Sequence, residues 1–219
     1  MKYHKPVLLR ESVDGLAIRE DGTYVDVTFG GGGHSREILG RLGPKGRLIA
    51  FDQDEEALAN KPEDERFLLI GENFRYIRQF LKFYGILKVD GILADFGVSS
   101  HQFDRAERGF STRFDAGLDM RMSRRAEITA RDVVNTYSFE KLRSVLQRYG
   151  ELRSAGKIAG ELVRARDKAS IQTTYGLNEA VSAFLPRGKE NKVLARIYQA
   201  IRMEVNQELA ALEAFLQQT

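Results

Sequence analysis

Four short apolar runs, TYVDVTF, GRLIAFD, RFLLIGENF and VDGILADFG, recur between Thr23 and Gly97, each bounded by glycine or charge. No other feature restricts the fold as much. A strand covered on one face alternates apolar and polar residues, whereas nearly continuous apolar runs of this length suit strands buried on both faces of a parallel sheet. The segments between the runs have helical spacing. HSREILGRLG carries Ile38, Leu39 and Leu42, and YIRQFLKFYG carries Ile77, Phe80, Leu81 and Tyr84. Repeated β then α units imply right-handed crossovers, so the expectation is a doubly wound, Rossmann-like α/β sheet.

After Gly97 the character changes. SSHQFDRAERGFSTRFDAGLDMRMSRR is long, polar and basic with no clear period, which reads as a functional loop or a hinge. Only helical patterns follow. Ser138 is placed to cap one helix, another runs from about Leu152, Thr174 is placed to cap a third, and a last pattern runs from about Asn191 to Gln217.

Composition narrows the function. With 219 residues, 42% of them apolar, the chain can bury one good core, or one core with a satellite. No stretch approaches the roughly 18 apolar residues of a membrane span, and MKYHKPVLLRES lacks the apolar segment of a signal peptide. A cytoplasmic location is expected. There is no cysteine, and the three histidines, His4, His34 and His101, are too scattered for a convincing metal cluster, so no metal is expected. Catalysis is left to carboxylates, backbone groups or a bound cofactor. Charge is uneven: residues 108–203 hold 19 Lys and Arg against 10 Asp and Glu, and the rest of the chain holds 15 against 21. Either the helices have arginine-rich wet faces, or this segment is a patch for a polyanion.

The stretch DVTFGGGGHS places Gly30 to Gly33 where the first strand ends and a helix begins. Small residues there let the backbone approach a ligand and aim helix amides at it. The third glycine of the dinucleotide fingerprint is absent, and Ser35 stands in its place. The second strand ends in AFDQD, which puts Asp52 22 residues after Gly30, where an acid accepts hydrogen bonds from both ribose hydroxyls of an adenosine. Phe74 and Asp95 close the third and fourth strands and so face the same crevice. Phe74 either packs on an adenine ring or belongs to the core. Asp95 either faces the crevice or caps the turn after it, since an acid buried unpaired after GILA would cost several kcal/mol. Dehydrogenases and S-adenosylmethionine enzymes share this geometry.

HKPVLLRESV, DVTFGGGGHS, AFDQD, GILADFGVSSHQFD, ERGFS, GLDMRM and IYQAIRMEVNQEL together resemble the bacterial 16S ribosomal RNA cytosine-N4 methyltransferase H family, along the whole chain. The resemblance implies a class I S-adenosylmethionine methyltransferase with a helical domain inserted after the fourth strand. It implies residues 1–105 as the first part of the core, 106–200 as the basic, RNA-recognising insertion, and 201–219 as a helix returning to the core. The implied cofactor is S-adenosylmethionine, and the implied substrate is a cytosine of the decoding centre in 16S rRNA, within the small ribosomal subunit. Carried over residue by residue, cofactor contacts fall on Gly32, Gly33, His34, Asp52, Phe74, Asp95 and Gln102. Asp95 is also the catalytic candidate, as an acceptor for the cytosine amine, while His34 either caps its helix or touches ligand. Arg108, Arg113, Arg121, Arg124 and Arg125 are the candidates for rRNA phosphate contacts.

Two other readings stay open at this point. One is an NAD-dependent oxidoreductase, which shares the glycine loop and Asp52 but lacks an obvious proton donor. The other is a ribosome-binding module with weak catalysis. Members of the resembled family continue past EVNQELAALEAF into further strands, whereas this sequence stops at Thr219. The resemblance therefore implies a sheet left incomplete beside VDGILADFG, and activity that depends on the remaining strands.

Overall fold

The computed structural model describes residues 6–219, so His4 and the start of HKPVLLRESV lie outside the described residues. The chain divides into two units, Met1–His101 with Ala210–Thr219, and Gln102–Leu209.

In the first unit the chain runs through α1 (Leu9–Gly15), β1 (Thr23–Asp26), α2 (Gly33–Arg41), β2 (Arg47–Phe51), α3 (Glu55–Leu58), β3 (Phe67–Ile70), α4 (Ile77–Phe83) and β4 (Gly91–Leu93). The strands form one sheet in the order β3-β2-β1-β4, and every pair is parallel. Asp26 stands opposite Ala50 on one side and Leu93 on the other, so β2, β1 and β4 end at nearly the same level. Their following loops therefore leave the sheet at one rim.

The pleat explains why the strand sequences are almost wholly apolar. Tyr24, Leu48, Ala50, Phe67 and Leu93 point to one face and pack with Val13, Ile38, Leu39 and Leu42 of the first two helices and the turn after α2. Val25, Val27, Ile49, Phe51 and Ile70 point to the other face, against Ile77 and Phe215. Both faces are covered, as continuous apolar strands require. Period-2 alternation also puts Asp26 in the same layer as Tyr24, where it is fully buried. A carboxylate there needs partners.

The short helix α5 (Ser100–Asp104) leads into the second unit, which holds α6 (Ala130–Thr136), α7 (Phe139–Arg148), α8 (Ala155–Lys168), α9 (Thr174–Val181) and α10 (Glu190–Val205). Val133, Leu142, Leu146, Ile158, Leu162, Leu177 and Ile197 form its buried side. Ser138 caps α7 by accepting the Lys141 N–H, and Thr129 with Asp132 forms a reciprocal capping box on α6.

Three sequence expectations are corrected here. The cap of α9 is Thr173, which accepts the Gly176 N–H, because Thr174 is buried with its hydroxyl held by Phe114 O and Ala116 N. The last helical pattern is two helices, α10 and α11 (Glu208–Leu216), broken where Gln207 has φ +48°. Asn206 causes the break: its amide accepts the Met122 N–H at 2.7 Å and donates to Met120 O at 2.8 Å. Residues 106–129 also form more than a polar loop, since Phe110, Leu118, Met120 and Met122 are buried.

Candidate functional site

The carboxyl rim of the sheet is built around the end of β1. Asp26 resolves its burial by accepting from Ser35 Oγ at 2.7 Å and from the Thr28 N–H at 3.0 Å. Desolvation still raises its pKa above the ordinary carboxylate value, against the lowering effect of those bonds. Thr28 in turn accepts the Asp95 N–H on its hydroxyl at 2.8 Å, so the end of β1 holds the end of β4 in place.

The glycine loop lies between these strands and α2. Gly32 has φ +73° and begins α2 with no side-chain cap, so the first amides of the helix are left for something other than a capping side chain. A Cβ on Gly33 would lie 2.3 Å from Pro6 Cγ, so this glycine is required by Pro6 resting on it. The loop is also tied to β2. Asp52 accepts the Gly30 N–H at 2.7 Å and the Asp54 N–H at 2.8 Å, one on each carboxylate oxygen. Burial pushes the Asp52 carboxyl up to about 6, opposed by those two backbone bonds. Each oxygen keeps a further lone pair, so two more donors can be accepted.

His34 occupies the second position of α2 and is 5% exposed. Its Nε2 is buried and has no hydrogen-bond partner among the described residues. The ring lines a cleft of about 300 Å³ together with Val7, Leu8, Ser12, Leu16 and residues 92–95, so His34 and Asp95 share one concavity. An orphaned buried nitrogen in a cleft suits a ligand-facing role better than a capping one, because leaving it unsatisfied costs roughly 1–3 kcal/mol. Asp95 itself is exposed. Phe74, four residues past β3 and the first residue of a short helical turn, lies 5.2 Å from Phe96 and 5.6 Å from Phe215 between ring centroids, and is half-buried.

Gly32, Gly33, His34, Asp52, Phe74 and Asp95 thus all belong to the rim of the first unit. Gln102 falls in the second unit, buried at 6% exposure. Sequence reasoning missed Asp26, Thr28 and Ser35, which connect the rim. The available signal was DVT: two polar residues in an otherwise apolar buried run.

The five arginines divide. Arg108 is buried and donates to the carbonyls of Arg121 and Met122, while Arg121 binds both oxygens of Asp119 and the carbonyls of Arg124 and Ala126. Those two guanidiniums hold the 119–126 segment together. Arg113, Arg124 and Arg125 are exposed. Among the described residues no group of His, Asp and Glu suits a metal, and no helix is long and apolar enough to cross a membrane.

A parallel sheet ordered β3-β2-β1-β4, a glycine loop after β1 and acids ending β2 and β4 define the class: a class I methyltransferase core. The family follows from comparison of sequences. Residues 1–219 match the model of the MraW methylase family. The chain is 61% identical over 219 residues to the ribosomal RNA small subunit methyltransferase H of Christiangramia forsetii, and 61% to that of Flavobacterium johnsoniae, covering 100% of this chain and 72% of each relative. It is 55% identical over 216 residues to the protein of the same name from Bacteroides thetaiotaomicron, covering 99% and 71%. The chain belongs to the MraW methylase family and is a methyltransferase, which removes the oxidoreductase reading.

Proposed function

We propose that this chain methylates the exocyclic N4 of a cytosine in the decoding centre of 16S rRNA, with S-adenosylmethionine as donor, on the small ribosomal subunit in the cytoplasm. Family membership carries the reading, because the most similar relatives described above are named as ribosomal RNA small subunit methyltransferases.

The rim fits the cofactor. Asp52 has two lone pairs to spare for ribose hydroxyls, and the uncapped start of α2 beside Gly32 and Gly33 suits the methionine carboxylate. His34 offers its buried Nε2 in the adjoining cleft, Phe74 offers an aromatic face for the adenine, and Gln102 is assigned by the family resemblance alone. The cofactor supplies a methyl group on a positively charged sulfur.

Asp95 serves the nucleophile. A cytosine amine is weakly nucleophilic because its lone pair is delocalised into the ring, and a carboxylate that accepts its hydrogens favours a pyramidal nitrogen with the lone pair restored. Among the described residues no hydrogen bond occupies the Asp95 carboxylate, and the Thr28 hydroxyl fixes its backbone. Positioning to within about 3–3.5 Å supplies most of the acceleration in such transfers. The base must also leave its stack, at a cost of a few kcal/mol.

The test is methyl transfer from labelled S-adenosylmethionine to unmethylated small subunits, with the product nucleoside mapped by mass spectrometry. One methyl on cytosine N4 is expected. Methylation of a different base, or calorimetric binding of NAD in place of S-adenosylmethionine, would overturn the proposal.

A further inference from the structure

Unit two presents two aromatic rings to solvent from a rigid base. Phe114 is 38% exposed and Tyr175 is 51% exposed. Neither sits on a loose loop. Thr174, fully buried, donates to Phe114 O at 2.6 Å, accepts the Ala116 N–H at 3.0 Å and donates its own N–H to Ala116 O at 2.8 Å. The Leu118 N–H bonds Gln172 O at 3.0 Å, Gly117 pairs antiparallel with Thr173, and the Tyr175 N–H reaches Asp115 Oδ1 at 3.3 Å. The segment 114–118 is therefore stapled to the start of α9 along its whole length.

Arg113 joins the two rings. Its guanidinium carbon lies 5.4 Å from the Phe114 ring centroid, and the Tyr175 hydroxyl lies 3.5 Å from its carbonyl oxygen. Ser111 Oγ, almost fully buried, accepts from the Arg113 N–H and Nε–H, both at 3.2 Å, which orients the side chain. Its pairing with Asp104 at 3.1 Å joins two side chains about 60% exposed, and such surface pairs are weak.

We propose that Phe114, Tyr175 and Arg113 form a stacking platform for unpaired bases of the RNA substrate, a proposal that rests on the rRNA methyltransferase reading above. Rings kept wet by a rigid scaffold forgo burial in the free protein, and unpaired bases are the polyanion component with flat apolar faces to cover them. The acids Asp104 and Asp115 border the platform, so bare phosphate alone is a poorer match than a base stacked on the rings beside Arg113. The excess of cations in residues 108–203 supplies the general attraction to RNA, and the platform adds contact with bases.

The chain contains no tryptophan, so Tyr175→Trp creates a single fluorescent reporter on the platform. Titration with an unstructured twelve-nucleotide oligoribonucleotide is expected to quench that fluorescence strongly, while heparin, a polyanion without bases, leaves it unchanged. The double variant F114L/Y175S should bind the oligonucleotide about tenfold to a hundredfold more weakly at fixed salt, with an unchanged salt dependence and melting temperature. Equal quenching by heparin, binding by RNA without quenching, or quenching only by a protein of the small subunit would each overturn the platform. A wild-type chain that neither binds nor methylates RNA would instead overturn the reading on which the platform rests.

Discussion

At the scale of residues, the two carboxylates at the rim have different surroundings, and the proposed function gives them different work. Asp52 is already bonded to two backbone N–H groups, so in the proposed function it receives the ribose hydroxyls in a fixed place. It must be ionised to accept both, and its carboxyl titrates at about 6 because burial raises it. Below that pH a proton must be released before the ligand is bound. S-adenosylmethionine affinity is therefore expected to be flat above pH 7 and to fall toward tenfold per pH unit as pH drops well below 6, the limiting slope for one required ionisation. Titration calorimetry at pH 7.5 and pH 5 checks this, and Asp52→Asn should bind weakly with a flattened pH profile. Asp95, exposed and with no hydrogen bond to its carboxylate among the described residues, is predicted to act on turnover. Asp95→Asn should lower kcat at saturating cofactor about a hundredfold, on the order of 2.7 kcal/mol in the barrier. Weakened cofactor binding with intact kcat would make it a binding residue only, and would pass the amine to the carbonyls of residues 96–99.

At the scale of elements, the break between α10 and α11 shows tertiary bonding overriding local pattern. Leu194, Ile197, Ile201, Val205, Leu209, Leu212 and Leu216 keep helical spacing across the break, so periodicity alone reads one helix. Asn206 ends it by clasping the backbone of Met120 and Met122, and Arg202 spans the break with two bonds to Glu208 at 2.7 and 2.9 Å. Removing the clasp leaves the Met122 N–H and the Met120 carbonyl without that partner. Asn206→Ala is therefore expected to cost about 2–3 kcal/mol in urea unfolding, more than a typical exposed substitution. A cost below about 0.5 kcal/mol would show that the clasp is incidental. The same logic applies to Thr174, whose position before a helical run resembles a cap until its hydroxyl is seen bonded to the 114–116 segment.

At the scale of the whole molecule, charge and chain length set the remaining expectations. Two of the five candidate arginines, Arg108 and Arg121, are consumed internally, yet most cations in residues 108–203 stay at the surface. RNA affinity should therefore fall steeply with salt, each phosphate contact with single-stranded RNA adding about 0.7 to the log-log slope. Arg108→Gln should lower the melting temperature and leave that slope unchanged, which thermal melting and filter binding together test. The chain spans about 72% of its relatives' length, and among the described residues β4 has one hydrogen-bonded neighbour. The sequence by itself determined the parallel α/β core, its four strands, and the placement of Asp52 and Asp95 just past strand ends. Those features follow from periodicity and local chemistry, which act between residues close in the chain. Only the tertiary structure decided that Thr28 anchors Asp95, that Pro6 rests on Gly33, that Arg108 is internal and that Asn206 breaks a helix. Each depends on atoms brought together from positions more than a helical or strand repeat apart, where no local spacing rule records which donor meets which acceptor.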